Sequence, residues 1–444
     1  MERERGLALY VHIPFCTAKC GYCDFNSYAG QESLIPTYTR ALLREAEMWS
    51  AALPHWRAET LFFGGGTPSL MPPEELERIV HGLRRRFRLT PGAEISLEAN
   101  PGTVDEPYLS RLRELGVNRL SLGVQSFHDD ELAFLGRIHS SDEAREAYRA
   151  ARSAGFDNVS LDLIFGLPGQ TTSRWQESLE EAIALGPEHL SCYALTVEDG
   201  TPLGRDVASG RVPAPDQDRQ AELYLCASER LQSAGYEHYE ISSWARRGRR
   251  CRHNLTYWRN GFWLGLGAGA HSHLPGEPGD GANWEVGTRN WEPGVGGQQA
   301  TSNKEEGRCS TVPLLHCSAG PCYRFAAEAL PGRYIELVNE AWKQWSPEGA
   351  PPLEAMRQVT SREEIDPSLA LSDTLVLGLR LSEGVSLREL RRRFGEAALE
   401  GHAAAFQEAA SLGLLERVDG RLRLTPRGRL LANEVFVRLL PAVS

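Results

Sequence analysis

No run of 18 apolar residues occurs anywhere in the 444-residue chain, so no membrane span is expected. The opening MERERG leads straight into a short strand-like run. It lacks the long apolar stretch and small-residue cleavage site of a signal peptide, so a cytoplasmic address is expected. Positive charge is not in excess: 48 Lys and Arg stand against 59 Asp and Glu, a net charge of −11. That balance, without a basic recognition stripe, argues against nucleic acid as a partner. The local triplets Arg84, Arg85, Arg86 and Arg391, Arg392, Arg393 read as solvated helix faces rather than phosphate sites. Nine cysteines, an odd number without regular spacing, do not make a disulfide framework. The composition (41% hydrophobic, 24% charged) excludes disorder throughout and collagen-like repetition. A chain of this length buries a sizeable core without disulfide or metal staples.

What is present is an alternation. Strand-like runs recur at 7–13, 60–63, 94–99, 119–124, 159–164 and 189–195. Amphipathic helical stretches lie between them at 35–52, 73–87, 105–115, 141–154 and 173–185. Crossovers of that length join parallel strands. The first strand is not followed by a dinucleotide-binding glycine fingerprint. Six such units therefore predict an incomplete α/β barrel, (βα)6, rather than a Rossmann fold. A helix over 219–234 and an added strand over 239–242 follow. From 368 onward a helix (369–380), a helix opening at Ser386, a helix (397–412), a hairpin over 414–424 turning at Asp419-Gly420, and a helix (427–439) predict a mostly helical, winged-helix-like domain. The expected organisation is a barrel over 1–245, a motif segment over 246–275, an irregular linker or insertion over 276–367, and the C-terminal domain over 368–444.

In a parallel barrel the working residues sit at the C-terminal ends of strands, and the unusual residues here fall on that edge. Strand one runs through Tyr10 and His12 into Cys16, Cys20 and Cys23; strand two ends in Gly64, Gly65, Gly66 and Thr67. Glu98, Gln125 and Asp162 mark later strand ends. Three cysteines within eight positions, spaced CxxxCxxC, suit a compact metal loop. A structural zinc site would want a fourth ligand, and no second CxxC pair exists. Three thiolates suit a [4Fe-4S] cluster with one iron left open. Cys309, Cys317 and Cys322, with His316 adjacent, can be drawn as a second metal site, but the segment reads rather as an insertion.

The strings YVHIPFCTAKCGYCDF, FFGGGTPSL, EANPGTV, GVNRLSLGVQSF, LGRIH, LDLIFGLPGQ and CRHNLTYW occur in this order. Together they resemble the oxygen-independent coproporphyrinogen III oxidase-like family of radical SAM proteins, from about residue 7 to 273 and more loosely from about 368. The resemblance implies a radical-SAM barrel in which Cys16, Cys20 and Cys23 hold the [4Fe-4S] cluster and S-adenosyl-L-methionine (SAM) is the exchangeable fourth ligand. It further implies that Tyr10, Gly65, Gly66, Thr67, Glu98, Gln125, Arg137 and Asp162 form the SAM pocket. Glycines at 65 and 66 let backbone amides approach the methionine end closely.

Two branches of that family differ in chemistry. The oxidase branch continues the loop as CxxxCxxCxC and carries a long N-terminal extension. Here Phe25 stands two positions beyond Cys23, and Cys16 leaves no room for the extension. Both departures point to the heme-chaperone branch. The same branch assigns heme binding to the HNxxYW string, here His253, Asn254, Tyr257 and Trp258; imidazole is a natural heme-iron ligand. His271 and His273 are further candidates of lower rank. The expected function is thus binding of heme and its transfer to a heme-accepting client protein, with the oxidase's radical decarboxylation of porphyrinogen propionates as the alternative. Whether the chain is an enzyme stays open between them. A monomer or weak dimer is expected, with peripheral membrane contact left open.

Overall fold

The computed structural model describes residues 5–276, 322–346 and 355–441. Six strands come first in the sheet: β1 (Arg5–Ile13), β2 (Trp56–Gly65), β3 (Glu94–Ala99), β4 (Arg119–Gln125), β5 (Val159–Phe165) and β6 (His189–Ala194). Each pairs in parallel with the next. The crossovers are carried by helices α1 (Ile35–Ala52), α2 (Pro73–Phe87), α3 (Glu106–Glu114), α4 (Asp129–Leu135), α5 (Ser141–Ser153) and α6 (Thr172–Leu185). The sheet does not close on itself, so this is the expected incomplete (βα)6 barrel.

Local chemistry sets the helix boundaries. Ser140 and Glu143 form a reciprocal capping box at the start of α5, and Asp105 and Thr171 cap α3 and α6. Helix α2 opens with Glu74 and Glu75 and ends with Arg84, Arg85 and Arg86, each sign at the end of the helix dipole that favours it. Arg391, Arg392 and Arg393 likewise form the last turn of the helix Leu387–Phe394. Both triplets stand at helix C-terminal ends.

Strand alternation divides the sheet into two faces. Leu9, Val11, Leu61, Phe63, Leu97, Leu120, Leu122, Leu161, Leu163 and Leu190 point outward and pack under the helices in one continuous core. The alternate positions carry Thr60, Glu94, Ser96, Arg119, Ser121, Ser160, His189 and Ser191, all buried. The lumen is therefore lined by polar groups instead of being packed shut, and a site can form there.

The expectation of an irregular segment over 276–367 is corrected for its described part. After α7 (Pro202–Ala208), α8 (Gln217–Ser233), β7 (Glu237–Glu240), β8 (Ser243–Ala245), α9 (Arg252–Trp258), β9 (Trp263–Leu266) and β10 (His271–Pro275) come β11 (Cys322–Ala327), α10 (Pro331–Gln344) and β12 (Val359–Ile365). The sheet order is β12-β11-β10-β9-β1-β2-β3-β4-β5-β6-β8-β7. Strand β9 runs parallel to β1, and β10, β11 and β12 continue it antiparallel. The edge strand β12 is exposed along most of its length, so its sequence VTSREEI shows no buried face to read. Cys322 is buried on β11; Cys309, Cys317 and His316 lie outside the described residues.

Helix α11 (Pro367–Leu379) opens the C-terminal domain. Its Leu371, Leu375 and Leu379 join Leu390, Leu415, Leu424, Val435 and Leu439 in a second core. A small sheet orders the strands 385–386, 421–424 and 415–418, and Asp419 and Gly420 both take positive φ in the tight turn. The two long helices expected here are each broken, into Glu396–Glu400 and Ala403–Ser411 and into Pro426–Leu430 and Ala432–Leu439. No helix among the described residues is long and apolar enough to cross a membrane.

Candidate functional site

The loop after β1 folds back across the ends of β1 and β2. Gly66 N–H donates to the Ile13 carbonyl and Thr67 N–H to the Phe15 carbonyl, both at 2.8 Å. This seats the glycine loop directly against the cysteine loop, with Thr67 Oγ1 3.4 Å from Cys16 Sγ. A Cβ on Gly66 would come within 2.6 Å of the Phe15 carbonyl oxygen and 3.0 Å of Cys16 Sγ. Gly65 sits at φ 113°, where a Cβ would press on the His12 ring at 2.6 Å. Neither position admits a side chain.

Arg137 follows the left-handed Gly136 that ends α4. Its guanidinium donates to Cys20 Sγ at 3.5 Å and to the Gly123 carbonyl at 2.9 Å. His139 is clamped between Asn100 Oδ1 and the Val124 carbonyl, and burial lowers its pKa to about 4. Gln125 holds φ 68° where the β4–β5 register shifts, a strained backbone that re-aims one side chain at the barrel mouth. Sequence reasoning thus named Cys16, Cys20, Cys23, Gly65, Gly66, Thr67, Gln125 and Arg137, and the structure brings them together on one rim.

Cys16, Cys20 and Cys23 are free thiols. Among the described residues no three His, Cys, Asp or Glu side chains are arranged to grip a single ion. A cubane cluster asks for something else: thiolates bound to separate irons at its corners rather than converging on one ion. The donor set on this loop fits that group.

Tyr10, Glu98 and Asp162 lie deeper, on the lumen wall. Asp162 accepts from Ser121 at 2.9 Å, and its own pKa is raised, by burial first. Glu98 is pushed up to about 8 by burial and then by the charge of Asp162, against the pull of the Gly65 amide and Arg119. A carboxyl held neutral in the folded state and ionised near 4.3 when unfolded binds an extra proton on folding between those values. Its favourable contribution is complete below the ordinary carboxylate range and is lost as pH rises through about 8. Without SAM, the melting temperature is expected to fall across that window, with a shallower slope in Glu98→Gln. Equal slopes in calorimetry of both proteins would contradict the neutral carboxyl.

The HNxxYW helix α9 closes the other end of the lumen. Glu94 receives the amides of Arg252 and His253, both at 2.9 Å, and so fixes the start of the helix against β3. His253 is buried, stacked on Phe62 with ring centroids 4.9 Å apart. Its Nδ1 is 2.7 Å from Thr60 Oγ1 and its Nε2 2.8 Å from Tyr257 Oη. Burial, and then the charge of Arg119, takes its pKa down to about 3. Both ring nitrogens of His253, the expected heme-binding histidine, are thus engaged, and the ring stands in the wall of the barrel. Trp258 lies under the Arg380 guanidinium of the C-terminal domain at 4.3 Å. Asn254 is half-buried and does not line the cavity described next.

A cavity of about 530 Å³ opens from the lumen wall at Tyr10, Gly65 and Glu98. It runs past Tyr257, Trp258 and Trp263 to His271 on β10 and Leu377 on α11. Phe25 and Asn26 form its edge beside the cysteine loop, with Phe25 63% exposed. The cysteine rim, the lumen wall and the HNxxYW helix thus share one space.

Sequence reasoning passed over the residues that hold this space in shape. Asn26 receives His12 Nε2 on its carbonyl at 2.8 Å and donates to the carbonyls of Ala268 and Ala329. Buried Glu45 accepts from the Gly267 amide and from Tyr334, while Tyr38 Oη bridges the Ala268 amide and the His12 carbonyl. A carboxylate on the apolar face of α1 was the available signal, since a buried charge needs partners.

Fold and site together define a radical SAM protein, the family that implies a [4Fe-4S] cluster and SAM. Residues 10–182 match the Radical SAM superfamily and residues 365–431 the HemN C-terminal domain. Among solved structures, coproporphyrinogen III oxidase (HemN) from Escherichia coli has this fold at a TM-score of 0.74 and 20% identity, over 98% of this chain and 90% of that one. The heme chaperone HemW of Bacillus subtilis (strain 168) is 34% identical over 96% of this chain and 97% of its own. That of Escherichia coli (strain K12) is 42% identical over 60% of this chain and 70% of its own. The chain belongs to the HemW family.

Proposed function

We propose that this protein is a heme chaperone: it binds heme in the cavity between α9 and β10 and hands it to an acceptor apoprotein. The observation that carries the reading is the cavity itself. Aromatic walls from Tyr257 and Trp263, edge to face at 4.9 Å, suit the faces of a porphyrin, and an imidazole stands among them. The volume falls in the range of about 300–1,000 Å³ usual for cofactor sites. The names of the HemW relatives support the same reading. In it, Cys16, Cys20 and Cys23 hold the [4Fe-4S] cluster; SAM lies over the Gly65–Gly66 backbone, with Thr67, Gln125, Arg137, Tyr10, Glu98 and Asp162 around it.

An anaerobic hemin titration of the cluster-reconstituted protein, followed at the Soret band, tests this. Saturation near one heme per chain is the expected result; featureless, non-saturating uptake would remove the reading. One observation favours the oxidase alternative: Tyr10 and Glu98, proposed around SAM, line the cavity proposed for heme. A porphyrinogen there would lie beside the SAM site. Phe25 in place of the oxidase branch's fourth loop cysteine weighs against it.

A further inference from the structure

A carboxylate that recognises a ligand's hydroxyl or amino group must be held in one orientation by the groups behind it. Asp162 on β5 accepts from Ser121 at 2.9 Å on one oxygen and from Ser160 at 3.4 Å on the other. Ser160 is fully buried, and its hydroxyl also lies 2.8 Å from Nδ1 of His189, its cross-strand neighbour on β6. The other ring nitrogen, His189 Nε2, lies 2.8 Å from Tyr239 Oη on β7. His189 and Tyr239 are both buried. Asp162, Ser160, His189 and Tyr239 thus form one hydrogen-bonded chain, of which the SAM pocket proposed above uses the first member alone.

The chain has a direction. Against burial, the hydroxyls of Ser191 and Ser121, the charge of Arg119 and the Ser160 hydroxyl all favour the ionised form of Asp162. A carboxylate only accepts, so the Ser160 hydroxyl donates to it, and the Ser160 oxygen accepts from His189 Nδ1–H. The imidazole is neutral, because burial and then the charge of Arg119 hold its pKa well below the usual value. Its Nε2 therefore carries no proton and accepts from the Tyr239 hydroxyl. Tyr239 is held from outside the barrel: its carbonyl accepts from Ser382 N–H at 3.0 Å, and its ring packs with Leu255 of α9 and Leu381. Resting on the SAM pocket of the reading above, we propose that His189 and Tyr239 are positioning residues for SAM. Through Ser160 they tie one oxygen of Asp162 to a fixed donor, and the carboxylate's remaining lone pairs stay aimed at a hydroxyl or amino group of SAM.

The test is calorimetric titration of SAM into the full, cluster-reconstituted chain, unaltered and as His189→Leu, His189→Asn and Tyr239→Phe. His189→Leu, which removes both ring nitrogens, is expected to bind SAM about tenfold more weakly, the worth of one hydrogen bond. His189→Asn, whose amide N–H stands near the place of Nδ1–H, is expected to recover most of that loss. Tyr239→Phe, which deletes a hydroxyl one step further back, is expected to lose roughly threefold. Iron and sulfide per chain should be the same in all four proteins. In nitrogen NMR spectra of the unaltered chain with labelled histidine, the His189 signal, identified by its absence from His189→Asn, should show the proton on Nδ1. A merely structural role would lower the melting temperature of His189→Leu and Tyr239→Phe and leave their SAM affinity unchanged. That result, a His189→Asn as weak as His189→Leu, or a proton on Nε2 would each overturn the inference. Failure of the unaltered chain to bind SAM would instead overturn the pocket beneath it, and the inference with it.

Discussion

Replacing any one of Cys16, Cys20 or Cys23 by alanine is expected to abolish the oxygen-sensitive brown chromophore of the anaerobically reconstituted protein. The loop offers three thiols and no substitute. Thr67 is the neighbour of Cys16 and Arg137 that of Cys20, and neither a hydroxyl nor a guanidinium can replace a thiolate on iron. A cluster held as proposed, with an exchangeable ligand at its fourth iron, would be left with two protein anchors. Iron and sulfide per chain, with the visible spectrum, give the readout. Four irons retained in all three variants would sink the cluster assignment.

The second large effect is expected at the glycine loop. Gly66→Val places methyl groups where even a Cβ meets the Phe15 carbonyl at 2.6 Å and Cys16 Sγ at 3.0 Å. Backbone must move, and overpacking of this kind costs about 1–3 kcal/mol at the loop. Because the displaced atoms are those proposed to approach SAM, its affinity is expected to fall about 100-fold, roughly 2.8 kcal/mol. Gly65→Val adds strain at φ 113° and a collision with the His12 ring. Calorimetric titration with SAM decides: unchanged affinity in both variants would make the loop a turn and nothing more.

Much of this architecture was legible in the chain. Helices over 35–52 and 73–87 were bounded as found, because Pro36 and Pro73 mark their starts and arginines close the second. The barrel strands announced themselves through outward Leu and Val. The same alternation hid a message in its other half: Thr60, Glu94, Arg119, Ser160 and His189 are every second residue, and they mark a polar lumen. Strands β11 and β12 escaped notice because their pairing is long-range and β12 buries almost nothing. The breaks at Gly401-His402 and Leu431 interrupt helical patterns that run on apolar spacing alone.

In the site, the cysteines and glycines stand out by type and spacing, which no fold is needed to read. The surroundings of His253 do not. Whether an HNxxYW string presents its histidine to a ligand or to the barrel depends on which face of a seven-residue helix meets Thr60 and Phe62. That is decided by Glu94, some 160 positions upstream, and local pattern carries no trace of it.

The most direct test of the central claim is to give the reduced, cluster-reconstituted protein SAM and coproporphyrinogen III together, alongside a parallel hemin titration. The account predicts saturable hemin binding near one per chain and no vinyl-bearing porphyrinogen product by chromatography. Turnover of coproporphyrinogen, with hemin taken up only without saturation, would contradict it and make the same cavity a radical enzyme's substrate site.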